Sequence, residues 1–284
     1  MSRSLRSRSA ESGVPYEVLE EAIVASLTRA SMYLKSAFVS KKPVGLGRGG
    51  DVSREFDVVV EKIVYRTLSD YLGDVKLVSE EIGSAGEGSW LAVLDPVDGS
   101  ANFEAGIPLA SISLGISRNR ENAKVGDIEA AAVAEVFRDV IYYYDKSSGF
   151  KTIGARIERR PSPSNIVLGY FESLESFKPY LNFSKISGLK PRLRSLGSAA
   201  LDVVYVALGI AMGFVDARAR LRNVDLAPSL AIAKSLGAGA YLCSGADATS
   251  ITIREVARVE CVVVGYDEKI ARELLKAASS ELSP

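Results

Sequence analysis

Apolar residues recur every three or four positions between Pro15 and Phe38, at Val18, Leu19, Ala22, Ile23, Leu27, Met32 and Tyr33. That spacing gathers them on one helix face, and Pro15 suits the first turn, where no N–H is needed. A second helix is expected over 52–72. The period then changes. Val75 to Glu81 is a short apolar run ending in acids, and Leu91 to Leu94 is an unbroken one that reads as a buried strand. Leu109 to Ile116 alternates as a strand does. Ile128–Phe137 and Val140–Tyr144 flank Arg138-Asp139 as the arms of a hairpin. Strand after strand here predicts an antiparallel or mixed sheet.

Arg159-Arg160-Pro161-Ser162-Pro163-Ser164 breaks the pattern. Beyond it strands and helices alternate: strands at 166–170, 192–195, 211–217, 239–242 and 262–264, helices at 172–182, 198–208, 225–236 and 267–278. The expected organisation is an α+β N-terminal half over 14–160 and an α/β C-terminal half over 161–284. Residues 1–13, with Arg3, Arg6 and Arg8 among serines, read as a disordered, solvated tail.

Composition narrows the chemistry. The chain has 284 residues, 47% of them hydrophobic, and a formal net charge of zero. That supports a sizeable core and gives no overall field for nucleic acid. There is no histidine, which excludes Ser-His-Asp and Cys-His catalysis and His-ligated metals. Two cysteines, Cys243 and Cys261, do not suggest a secreted disulfide scaffold. No apolar run approaches a membrane span and no secretory signal is visible, so a cytoplasmic protein is expected.

The most informative stretch is Leu94-Asp95-Pro96-Val97-Asp98-Gly99-Ser100. A buried strand leads into two carboxylates, a glycine and a hydroxyl. Pro96, without an N–H for the ladder, is expected to stop the strand, and Gly99 lets the backbone turn tightly against a ligand. Bunched carboxylates repel each other unless a cation lies between them. Oxygen-only ligands suit Mg²⁺ or Mn²⁺. The same residue types also make ordinary surface turns. Ser79-Glu80-Glu81, a second strand end rich in acid, favours a shared site over two coincidental turns.

Ser79-Glu80-Glu81, then Asp95-Pro96-Val97-Asp98-Gly99-Ser100-Ala101-Asn102-Phe103, then Val224-Asp225-Leu226-Ala227-Pro228 resemble the three signatures of the inositol monophosphatase / fructose-1,6-bisphosphatase superfamily, in the family order. The likeness extends to its archaeal-type dual-activity members. Ser79, Ser100 and Val224 stand where Gly, Thr and Trp are common. The resemblance implies a layered α/β/α/β/α sandwich of the sugar phosphatase type, a homodimer, and metal-assisted hydrolysis of a sugar or inositol phosphate. Glu80, Asp95 and the Val97 carbonyl would hold one metal; Asp95, Asp98 and Asp225 would hold a second. Ser100, held by Asp51, would orient the attacking water. The N–H groups of Gly99 and Ser100 would cradle the phosphate, with Asp98 also in the substrate site. A 3′-phosphoadenosine nucleotide or NADP phosphatase of the same superfamily, and a non-catalytic sugar-phosphate-binding regulator, are the alternative readings.

Three further segments bear on the site. Gly45-Leu46-Gly47-Arg48-Gly49-Gly50 fits G-x-G-x-x-G but follows a helix rather than a strand, so a loop near the site is expected instead of a dinucleotide fingerprint. Arg194-Ser195-Leu196-Gly197-Ser198-Ala199 reads as strand, glycine turn and helix start, so that either Arg194 and the Ala199 N–H face substrate or Ser198 is a plain N-cap. Arg218, Arg220 and Arg222 alternate ahead of Asp225 on one face of an extended segment, as substrate ligands or as exposed structural charges. Inositol-specific relatives carry Glu at the position of Arg218, where an Arg fork suits a second phosphate.

Overall fold

The computed structural model describes residues 14–36, 39–46 and 52–280. The N-terminal tail, Phe38 and Asp51 lie outside them. The N-terminal half runs through α1 (Tyr16–Leu34), β1 (Pro43–Leu46), β2 (Val52–Arg54), α2 (Glu55–Leu72), β3 (Val75–Ser79), β4 (Gly83–Ala85), β5 (Trp90–Asp98), α3 (Ser100–Ala105), β6 (Ser111–Arg118), β7 (Ala130–Glu135), β8 (Val140–Asp145) and β9 (Gly149–Ile153). The second half follows with β10 (Ile166–Gly169), α4 (Leu174–Ser187), β11 (Arg192–Arg194), α5 (Ala199–Ala207), β12 (Gly213–Asp216), α6 (Asn223–Ser235), β13 (Gly239–Leu242), β14 (Val262–Gly265) and α7 (Glu268–Ser279).

The strands form a seven-stranded sheet in the order β4-β3-β5-β6-β7-β8-β9 and a five-stranded sheet in the order β11-β10-β12-β14-β13. Strand β5 explains why its sequence is an unbroken apolar run: all nine of its residues are buried. Trp90, Ala92 and Leu94 face the core beneath α1 and α2, while Leu91 and Val93 face the core shared with α5 and α6. Helices α4 and α7 pack together outside the second sheet. The result is the five-layer α/β/α/β/α sandwich.

Several local expectations are corrected. Pro96 does not end its strand. β5 continues to Asp98, and the pairing with β6 shifts register between Asp95 and Asp98. The irregularity absorbs the missing N–H and re-aims the two acids. Part of the glycine-rich stretch pairs as a strand: β1 lies antiparallel to β2, and residues 47–51 between them are outside the described set. The second helix accordingly starts at Glu55. Cys243 and Cys261 form a disulfide, with Cα atoms 5.4 Å apart, between the end of β13 and the start of β14.

Candidate active site

Parallel pairing of β3 with β5 sets Ser79 beside Leu94, so the next residues, Glu80 and Asp95, emerge together. Asp225 arrives from the first turn of α6. There the Arg222 N–H donates to its Oδ2 at 2.8 Å and fixes the helix start. One carboxylate oxygen from each of Glu80, Asp95 and Asp225 lies within 4.8 Å of the others. Asp95 and Asp225 are buried. Asp225 Oδ1 is buried with no hydrogen-bond partner. Burial first, then the neighbouring acids, Glu80 foremost, hold Asp95 far above the usual carboxylate range. Burial and Glu80 do the same to Asp225. An orphaned oxygen among mutually repelling, oxygen-only donors fits a divalent cation such as Mg²⁺ or Mn²⁺. Val97 contributes its N–H, which donates to Asp95 Oδ1 at 3.1 Å and orients that carboxylate.

Asp98 is in a different state. It accepts hydrogen bonds from Ser198 Oγ (2.5 Å), Ser111 Oγ (3.1 Å) and the N–H groups of Ala199 (3.0 Å) and Ala200 (2.8 Å). It thereby caps α5 and joins the two halves of the chain. Burial lifts its carboxyl, but these donors oppose the lift and leave it at about 6. The Ala199 N–H, expected to face substrate, serves Asp98 here.

The turn at Ser100 depends on two glycines. Gly99 sits at φ +88°, and a Cβ there would lie 2.9 Å from the Gly197 carbonyl oxygen. Gly197, at φ +84°, would drive a Cβ to 2.7 Å from Asn102 Nδ2. Asn102 uses that nitrogen to donate to the carbonyls of Leu196 (2.7 Å) and Leu109 (3.0 Å). It therefore pins the 99–103 turn to the 196–198 turn. Ser100 opens α3 with its side chain exposed.

Asp51, the expected partner of Ser100, lies outside the described residues. The acid that the structure does place at the site is Asp57, on α2. It is buried and accepts the Arg54 N–H at 3.1 Å. Burial, opposed by that N–H and reinforced by Glu80, pushes it up to about 7. Asp57 in turn contributes to the raised state of Asp95. Glu81, paired with the Ser53 hydroxyl, is pushed up to about 8 by burial and by Asp57 and Glu80. The sequence does hold a signal for this acidic wall. Asp57 and Glu61 lie four apart on one helix face, among the buried Phe56, Val60 and Val64.

The arginines expected to supply surplus charge are mostly engaged by the chain itself. Arg218 donates through Nε and Nη2 to Asp216 Oδ2 (2.8 and 2.6 Å) and through Nη1 to Glu172 (2.5 Å). Its guanidinium lies over the Tyr170 ring, 3.9 Å from the centroid. Arg220 pairs with the other oxygen of Glu172 at 2.6 Å. Arg222 pairs with Glu80. Arg194 is exposed and donates to the Leu193 carbonyl.

Residues 16–282 match the inositol monophosphatase family. The chain is 30% identical over 222 residues to an inositol-1-monophosphatase of Aeropyrum pernix, covering 76% of this chain and 81% of the relative. It is 32% identical over 197 residues to a fructose-1,6-bisphosphatase/inositol-1-monophosphatase of Methanocaldococcus jannaschii, covering 69% and 73%. In structure it resembles the extragenic suppressor protein suhB of Bartonella henselae with a TM-score of 0.73 at 23% identity, covering 94% of this chain and 100% of that one, which is a likeness of fold. With its three acidic signatures folded onto one metal-competent centre, the chain belongs to the inositol monophosphatase family.

Proposed function

We propose that the chain is a divalent-metal-dependent phosphomonoesterase acting on small sugar or inositol phosphates, with inositol 1-phosphate and fructose 1,6-bisphosphate as its substrates. The observation that carries this reading is the convergence of Glu80, Asp95 and Asp225 within 4.8 Å, from three separate elements. Glu80, Asp95 and Asp225 would hold Mg²⁺ or Mn²⁺, with the Val97 carbonyl and Asp98 as further donors. Such an ion supplies positive charge and Lewis acidity at the scissile phosphate.

The chain's own residues do the rest. Ser100, exposed at the start of α3 just after β5, would orient the attacking water through its hydroxyl. Asp57, buried on α2 beside Glu80, is the acid assigned to take the proton of that water. Asp98 accepts the N–H groups of Ala199 and Ala200 and so steadies the start of α5. Arg194, exposed at the edge of the second sheet, would meet a second phosphate.

The test is phosphate release from a panel of inositol 1-phosphate, fructose 1,6-bisphosphate, 3′-phosphoadenosine 5′-phosphate and NADP, with Mg²⁺ and with excess EDTA. Release from the first two that EDTA abolishes is expected. Release that survives EDTA, or none from any substrate, overturns the reading. Preference for the last two assigns the chain to nucleotide phosphates.

A further inference from the structure

Arg222 is the one arginine or lysine in the buried set among the described residues, at 5% exposure. It is buried against carboxylates. Its backbone N–H donates to Asp225 Oδ2, and its guanidinium Nη1 pairs with Glu80. Two of the three acids that converge within 4.8 Å are therefore touched by one residue, from its two ends. The surrounding scaffold leaves it little freedom. Arg222 forms a β-bridge with Arg258. On one side the Val259 N–H donates to Leu221 O (2.8 Å), and on the other the Asn223 N–H donates to Ala257 O (2.9 Å). The Asn223 side chain, fully buried, donates to the carbonyls of Thr252 and Glu255 and accepts from the Ala257 N–H.

Burying a guanidinium is unfavourable unless its partners are equally in need of charge. Here they are: Glu80, Asp95 and Asp225 are adjacent, and Asp57, Glu61 and Glu81 lie close behind. Arginine also cannot resolve the mismatch by losing its proton. The Arg218 side chain shows the contrast, because its charge is consumed by Asp216 and Glu172 away from the acid trio.

We propose that Arg222 is a built-in counter-cation of the metal centre. It neutralises part of the Glu80–Asp95–Asp225 charge in the metal-free protein, holds Glu80 in place, and weakens divalent-cation binding by competing for the same carboxylate. The chain therefore folds with its acids already assembled, and the affinity of the centre for metal is set by a residue that is not a ligand. This inference rests on the reading of the acid trio as a metal site, so its test reads metal binding directly.

The test compares the parent with Arg222→Met and Arg222→Lys, all stripped with EDTA and dialysed. Mn²⁺ binding is measured by calorimetry, and melting temperature is measured with EDTA present. Arg222→Met is expected to bind Mn²⁺ about tenfold or more tightly than the parent, and to melt lower in EDTA. Arg222→Lys keeps the charge and is expected to stay within about threefold of the parent. Affinity in Arg222→Met equal to or weaker than the parent's overturns the proposal. Where Arg222→Met does not fold without metal, Arg222→Lys decides. A lysine variant that binds Mn²⁺ tenfold more tightly shows that charge is not the controlling property and overturns it; parent-like affinity and melting in EDTA support it. A parent that binds no Mn²⁺ removes the metal reading and the inference together, whereas a parent that binds and a methionine variant that does not differ removes the inference alone.

Discussion

Two charged clusters lie at the two ends of the 216–225 segment, and they are built on opposite terms. At one end, Asp216 and Glu172 face Arg218 and Arg220, so two acids meet two guanidinium groups. At the other end, the guanidinium of Arg222 pairs with Glu80 and its backbone N–H reaches Asp225, and Asp225 Oδ1 has no hydrogen-bond partner. The first cluster is complete by itself and fastens the segment to the loop after β10. The second is short of positive charge by construction. Buried charge without a partner is expensive, so an evolved chain carries it where something from outside is to be bound. The balance of charge, more than its amount, separates scaffold from site.

The unbalanced cluster is most sensitive at Asp95. Asp95→Asn is expected to lower kcat/KM for inositol 1-phosphate by roughly 10³-fold or more, about 4 kcal/mol in barrier. The same variant should melt no lower in EDTA, because a repelling charge has gone. Retention of more than about a tenth of the activity would mean the acid trio is scaffold as well.

A smaller loss tests the water-orienting hydroxyl. Ser100→Ala should cost about 10²-fold in kcat with KM little changed, since the group acts mainly in the transition state. Asp57→Asn and Asp51→Asn, each made alone and in the Ser100→Ala background, identify the partner. The acid whose loss adds little to that of Ser100 is the one that works with it. Full additivity for both would leave Ser100 acting alone.

The imbalance should also show as pH dependence. Asp57 and Glu81 stand at about 7 and about 8 in the metal-free fold, above the ordinary range near 4 that they have when unfolded. Between those values the folded chain binds more protons than the unfolded one, so its stability falls as pH rises. Melting in EDTA is therefore expected to be highest near pH 5 and to decline toward pH 8. Saturating Mg²⁺ should flatten the decline. A rise in melting temperature over that interval without metal would contradict the assignment of these acids as protonated.

The smallest effect is expected at the balanced end. Arg218→Ala should change KM for inositol 1-phosphate and fructose 1,6-bisphosphate by a similar factor, under about threefold, because its fork is already occupied. Arg194→Ala should raise KM for the bisphosphate alone. If Arg218→Ala is the selective variant, its pairing with Asp216 and Glu172 gives way to substrate.

Much of this architecture was legible because burial writes itself into sequence. Leu91 to Leu94 lack any polar residue since both faces of β5 are covered, and the first and last helices carry clear apolar stripes. The acids at Glu80, Asp95 and Asp98 stood out because they interrupt such runs. What escaped was decided by distant partners. Pro96 stays in its strand only because β6 accommodates an irregular register. The short strands β4 and β9 carry too few residues to show a period. Asp57 lies in the first turn of α2 and reaches the acids only because α2 packs beside Glu80, a contact the local sequence does not encode. The pairing of Arg218 with Glu172 spans 46 residues and left no local trace.

The Cys243–Cys261 bond gives the site a mechanical property. Between those cysteines lie Thr252, Glu255 and Ala257, whose backbone groups are gripped by Asn223, two positions before Asp225. Closing that ring removes conformational freedom from the unfolded chain, worth roughly 3 kcal/mol for a loop of this size in the chain-entropy picture. The clasp is covalent and closes the loop that Asn223 grips at the start of α6. The start of the helix that carries Asp225 is thus tied to the oxidation state of two sulfur atoms far along the chain.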